Sequence, residues 1–192
     1  GFDTKGKWVL SVAVTDGVYE IQGKTSGKLI HAAHTGNGAA AHLWQSAETV
    51  HQKMRFELLD DGAYRITMLS GDNRVLTNPN STVNGTGLQF NDWTGEDHQR
   101  WYVVDLGDGF VKLINKYSGL AVDISENGTA NGTKIQQWTD AGADAQRFKL
   151  IRTKLPYTSI YLNDGTYEIQ SKTSGKLIHA ANWTNGSAAH LW

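Results

Sequence analysis

A cycle of motifs repeated along the chain constrains its fold more than any other feature. "GVYEIQ" opens at Gly17, and similar openings follow as "GAYRIT" at Gly62, "GFVKLI" at Gly109 and "GTYEIQ" at Gly165. Each leads to a Ser-Gly pair (Ser26-Gly27, Ser70-Gly71, Ser118-Gly119, Ser174-Gly175) and then to an apolar stretch. Asn-Gly pairs come next, at Asn37, Asn84, Asn131 and Asn185, and then Trp44, Trp93, Trp138 and Trp192. A Gln-x-apolar step closes the first three cycles: Gln52 before Met54, Gln99 before Trp101, Gln146 before Phe148. Landmarks in fixed order, at intervals of roughly 45 residues, mark a chain built from one supersecondary unit used several times.

The period within each unit is that of β-structure. Tyr19 and Ile21 alternate with Glu20 and Gln22; Tyr64 with Ile66, and Val111 with Leu113, do the same. Two-residue alternation predicts half-buried strands. Asn-Gly favours the type I′ turn, in which both central residues need positive φ. No stretch shows a capped 3.6-residue stripe. Each unit therefore reads as about four short strands, and threefold use of such a unit predicts an all-β chain closed as a β-trefoil. Met54, Trp101 and Phe148 are expected in its core.

The repetition also predicts a domain plan. Residues 17–152 hold three divergent units. The fourth, 165–192, differs from 17–44 at six of 28 positions and repeats "KTSGKLIHAA" unchanged. So close a copy reads as the truncated first unit of a second, duplicated trefoil. The alternative is an incomplete lobe packing with residues 1–16. Residues 153–164, with Pro156, read as a linker. Residues 1–16 read as an N-terminal extension or the end of a preceding unit, because "GKWVLSV" resembles "QRWYVVD". An unfinished unit leaves strand edges unpaired, so self-association through it is expected.

Composition removes several function classes. With a net charge of −1, the chain lacks the basic excess that a phosphate backbone requires, so no nucleic-acid partner is expected. No apolar run approaches a membrane span. Zero cysteines exclude disulfides and zinc–thiolate sites. The spacing of His31, His34, His42 and His51 matches no compact metal motif, and no cofactor is expected. No nucleophile–base pair, carboxylate pair or phosphate loop suggests catalysis.

"SGLAVDI…NGTKIQQW…AQRF" in the third unit resembles the ricin B-type lectins, whose repeated Gln-x-Trp also marks carbohydrate-binding modules of glycoside hydrolases. The resemblance covers 17–151 and restarts at 165. It implies non-catalytic sugar binding in a shallow pocket on each unit. An Asp on the second strand would accept bonds from hydroxyls, and an aromatic ending the third strand would stack on the sugar. A polar residue and the closing Gln would complete the ring. A pyranose has an apolar face suited to an aromatic, and hydroxyls suited to a carboxylate.

Carried onto this chain, the third-unit site is Asp123, Gln136, Trp138 and Gln146. Asp123 should face outward between the core residues Val122 and Ile124. Ala145 stands where the family often has Asn, with Asp144 or Asp140 as a substitute. The first-unit site is His31, His42, Trp44, His51 and Gln52, where an imidazole can donate to or accept from a hydroxyl. Its binding should change near the ordinary histidine pKa of about 6.5. The fourth unit repeats the pattern with His179, His190 and Trp192. In the second unit, Thr77 takes the Asp position and Asn91, Trp93, His98 and Gln99 follow. The loop from Trp93 is two residues shorter than its counterparts, which favours a structural role. The resemblance implies glycan or polysaccharide partners of galactose, xylose or arabinose type, multivalent binding, and a secreted or extracellular setting, either alone or attached to a larger enzyme or toxin. The second function class consistent with a trefoil is a protein–protein interaction module.

Overall fold

The computed structural model describes residues 14–70 and 74–153, together with two short strands farther on, at Ile178–Ala180 and Ala189–Leu191. The first unit contributes β1 (Gly17–Gly23), β2 (Leu29–Ala32), β3 (Ala39–Trp44) and β4 (Met54–Leu58). The second contributes β5 (Tyr64–Met68), β6 (Arg74–Thr77), β7 (Gln89–Asp92) and β8 (Trp101–Asp105). The third contributes β9 (Val111–Asn115), β10 (Ala121–Ile124), β11 (Ile135–Trp138) and β12 (Phe148–Arg152). A one-turn 3₁₀ helix precedes the last strand of each unit, at Val50–Gln52, Asp97–Gln99 and Asp144–Gln146.

First and last strands close a six-stranded antiparallel barrel. Its pairs run β1–β4, β4–β5, β5–β8, β8–β9, β9–β12 and back from β12 to β1. Closure leaves these strands no free edge. The remaining strands form three hairpins, β2–β3, β6–β7 and β10–β11. The threefold use of one unit is visible in the register. Tyr19 lies opposite Met54, Tyr64 opposite Trp101, and Val111 opposite Phe148. Met54, Trp101 and Phe148 are fully buried, as the alternation predicts. The Trp101 indole N–H is satisfied by the Leu76 carbonyl at 2.9 Å, which removes the cost of burying that donor.

The Asn-Gly turns differ from the type I′ expectation. Gly38, Gly85 and Gly132 have φ of 81°, 82° and 84°, while none of the preceding asparagines has positive φ. In each turn the residue after glycine donates to the carbonyl before asparagine (Ala39 to Gly36, Thr86 to Val83, Thr133 to Ala130). Positive φ at the third turn position alone is the type II pattern. The asparagine is chosen for its side chain, not for a left-handed backbone. Asn37 Oδ1 accepts from the Asp92 amide (2.8 Å), Asn84 from Thr139 (2.8 Å) and Asn131 from Gln45 (2.9 Å). Each turn thus pins the end of the third strand in the next unit around the ring.

The closing glutamines hold the same segment from the other side. Gln52 donates to the Gln45 carbonyl and accepts from the Ala47 amide. Gln99 does this with Asp92 and Thr94, and Gln146 with Thr139 and Ala141. All three are buried, with both amide atoms used on backbone. Gln45, Asp92 and Thr139, at the ends of the third strands, are therefore each fixed by two side chains, one from the same unit and one from the neighbour.

The chain divides into two compact units, Gly1–Lys154 and Leu155–Trp192. In the second, Ile178–Ala180 pairs with Ala189–Leu191, and His179 lies opposite His190, as His31 lies opposite His42 in the first unit. Most of the expected extension, the linker, and the remainder of the fourth unit, including Trp192, lie outside the described residues. Among the described residues, no helix is long and apolar enough to cross a membrane.

Candidate functional site

The β10–β11 hairpin builds a pocket. Val122 and Ile124 join the core, while Asp123 between them lines a cavity of about 560 Å³. Asp123 does point out of the core, yet it is only 7% exposed, so it forms a floor and not an open surface carboxylate. Gln136 sits opposite it in the ladder and donates from Nε2 to Asp123 Oδ1 at 2.9 Å. Burial pushes the Asp123 carboxyl pKa up, against the opposing effect of hydrogen bonds from Gln136 and Gln146. Trp138 ends β11 at 42% exposure, an aromatic face turned to solvent beside a buried acceptor. A methyl group added at Gly85 would lie 3.5 Å from the Trp138 ring, so the neighbouring unit's turn backs the indole closely.

Gln146 lines the pocket, but its own amide is committed to the backbone clamp. Asp144 does not line it. Its carboxylate pairs with Lys24 at 2.7 Å, and Asp97 in the second unit pairs with Lys116 at 2.8 Å in the same way. Asp140 is held by Lys112. Neither acid therefore replaces the missing Asn: both are bound to lysines of β-strand neighbours, and Ala145, buried, leaves that wall apolar. Sequence reasoning missed Gly85, Lys134 and the Ser125–Asn127 rim. Glu126 and Asn127 adopt φ of 55° and 51°, uncommon for residues with a side chain, and only the Asn-Gly landmark hinted that a second unit reaches this site.

The first unit arranges His31, His42, Trp44 and His51 at the equivalent places. His31 faces His42 across the β2–β3 ladder, with Nδ1 3.0 Å from Nε2. The His31 ring lies nearly parallel to His42 and His51, at centroid distances of 4.9 and 5.4 Å, and 5.9 Å from Trp44. Trp44 is 37% exposed. Burial, then His42 and His51, lowers the His31 pKa to about 4, well below the expected 6.5. Burial lowers His42 as well. Gln52 is fully buried in its clamp, so it supports this site without facing a ligand. Among the described residues, no group of three His, Cys, Asp or Glu side chains is arranged to hold a metal ion.

The second unit requires a correction. The three loops leading to the closing glutamines are of equal length, because each clamp reaches back to the same residue. The position of Trp44 and Trp138 is held here by Asn91, which faces Val75 as Trp138 faces Ala121. Gln89, opposite Thr77, takes the place of Gln136. Trp93 belongs to the following loop, where Arg65 lies 5.0 Å and Arg100 6.0 Å from its ring centre. Thr77 is buried and bonded to the Val75 carbonyl and to Gln99. No aromatic platform remains at this site.

The ricin-type beta-trefoil lectin domain-like family matches residues 4–91, 51–138 and 99–192. The chain belongs to this family. Each match spans about two units, as expected when neighbouring repeats share one pattern. Among solved structures, the designed threefold-symmetric protein ThreeFoil is similar at 30% identity and TM-score 0.69, covering 72% of this chain and 100% of its own. An exo-beta-1,3-galactanase from Clostridium thermocellum is similar at 26% identity and TM-score 0.68, over 77% of this chain but only 32% of the enzyme. The Macrolepiota procera ricin B-like lectin, solved in complex with lactose, shares the fold at 19% identity and TM-score 0.64. No curated protein matches the chain.

Proposed function

We propose that this lectin-family chain binds carbohydrate without catalysis, with the third-unit pocket as its main site. The observation that carries the reading is the pairing of a buried carboxylate, Asp123, with the exposed Trp138 indole in one cavity. Asp123 supplies a charge-assisted acceptor for vicinal hydroxyls, Gln136 orients it, and Trp138 offers an apolar face to the ring. Gln146 shapes the pocket by holding the loop. The first-unit group of His31, His42, Trp44 and His51 forms a second site. The second unit serves the fold.

A shallow pocket on this pattern binds weakly; a millimolar Kd corresponds to only about −4 kcal/mol. Two sites held rigidly on one trefoil raise avidity on a repeating glycan without new contacts. The partners are galactose-, xylose- or arabinose-type glycans, met outside the cell and within reach of a larger enzyme's substrate. The lactose complex of the Macrolepiota lectin and the galactanase that carries a similar domain support this class.

A glycan array probed with wild type, Asp123→Ala and Trp138→Ala tests the reading. Binding to a defined glycan that both substitutions weaken supports it. A folded protein that binds no glycan favours protein–protein interaction instead.

A further inference from the structure

The first-unit cluster carries chemistry that the third-unit pocket lacks. Where β10–β11 place one carboxylate and one amide, β2–β3 place two imidazoles, and His51 stands where the third unit has Ala145. The 3.0 Å contact between His31 Nδ1 and His42 Nε2 requires one nitrogen to carry the proton and the other to accept it. His51 Nδ1 is buried with no hydrogen-bond partner among the described residues.

No carboxylate is among the causes that shift His31 or His42; the charges acting on His31 are those of His42 and His51. Lys134, whose backbone bridges His42, gives its ammonium to the Gly85 carbonyl at 3.0 Å. Glu48 and Lys53 flank the turn that carries His51, with Glu48 exposed. The site therefore holds three imidazoles that can take up a proton where the third unit has a carboxylate.

We propose that the first-unit cluster takes a carboxylated sugar of hexuronate type, its carboxylate accepting hydrogen bonds from His31, His42 and His51 while its ring packs on Trp44. This rests on the carbohydrate reading above and gives the site its ligand class. A carboxylate only accepts; in the neutral His31–His42 pair one N–H is spent on their mutual bond and one is left to donate outward, and a proton taken up by the pair lets both histidines donate. An opposite charge at this distance favours the imidazolium form. The complex then holds more protons than the free protein, so affinity rises as pH falls, until the sugar's own carboxyl protonates.

The test is an NMR titration with galacturonate and glucuronate beside galactose and glucose, at about pH 7 and about pH 5. The Trp44 and Trp138 indole signals, assigned with Trp44→Phe and Trp138→Phe, report the two sites separately. Uronates are expected to shift Trp44 and to bind roughly tenfold more tightly at the lower pH. His31→Gln, close in size but unable to take a proton, should flatten that pH response, and His31→Asp should abolish uronate binding. Equal responses of Trp44 to uronates and their parent sugars at both pH values overturn the proposal. So does a Trp44 signal silent to uronates while a neutral sugar still moves Trp138. Silence at both indoles, to xylose and arabinose as well, overturns the carbohydrate reading with it.

Discussion

At the residue scale, Asp123 shows how a strand pattern becomes a site. Alternation alone places it between two core residues and turns it outward. Sequence could not show that the pocket would cover it to 7% exposure, because Gly85 and the Ser125–Asn127 rim come from distant or irregular backbone. That burial has a pH consequence. The Asp123 pKa is raised, so its proton is held to higher pH in the folded protein than in the unfolded chain. Its charge therefore opposes folding above that window, and its contribution to stability improves as pH falls. Binding of a neutral sugar runs the other way, because the charged acceptor is lost on acidification. Affinity of the third-unit site should begin to fall at a higher pH than an ordinary carboxylate near 3.9 would dictate. Asp123→Asn should remove that acid limb and weaken binding about tenfold, read by titration calorimetry. Asp144→Ala supplies the contrast. Its pair with Lys24 lies at the surface and outside the pocket, so sugar affinity should be unchanged.

At the scale of elements, the Asn-Gly turn is a junction more than a hairpin device. Reading Asn-Gly as type I′ was reasonable from local propensity, but the neighbouring unit's amide is the stronger demand, and only the folded ring reveals it. The misplacement of Trp93 has the same origin. Trp93 is the nearest tryptophan to the landmark, whereas the residue eight before each closing glutamine, Trp44, Asn91 or Trp138, is the one in register. Removing one turn asparagine should cost about 0.5–1.5 kcal/mol, because the exposed backbone amide it leaves can turn to water. Asn37→Ala and Asn84→Ala should therefore destabilise alike in thermal melts. Asn84→Ala should also weaken third-unit binding, because Asn84 holds Thr139 directly after Trp138. If the two variants bind sugar equally well, the junction does not position the indole.

At the scale of the molecule, the fold was largely legible and the distribution of function was not. Repeated landmarks, alternation and buried Met54, Trp101 and Phe148 fixed a threefold β-architecture, because each signal reports a demand made three times. Which units bind depends on single departures from the repeat, such as Asn91 for tryptophan, that a repeat search averages away. The three closing residues, Met54, Trp101 and Phe148, share one core, so Trp101→Ala should cost about 3–5 kcal/mol in chemical denaturation and lower stability throughout the trefoil, although Asn91 leaves the second unit without the platform tryptophan. Loss confined to the second unit, with the other two melting as before, would contradict a single cooperative barrel.

The most direct test of sugar binding at the third unit is the Trp138 indole resonance during titration with the sugar an array identifies. A saturable shift at Trp138, absent for the buried Trp101 and needing about tenfold more sugar to saturate in Asp123→Asn, is the expected result. A folded protein whose Trp138 signal stays fixed while that sugar binds would place the main site elsewhere and contradict the assignment.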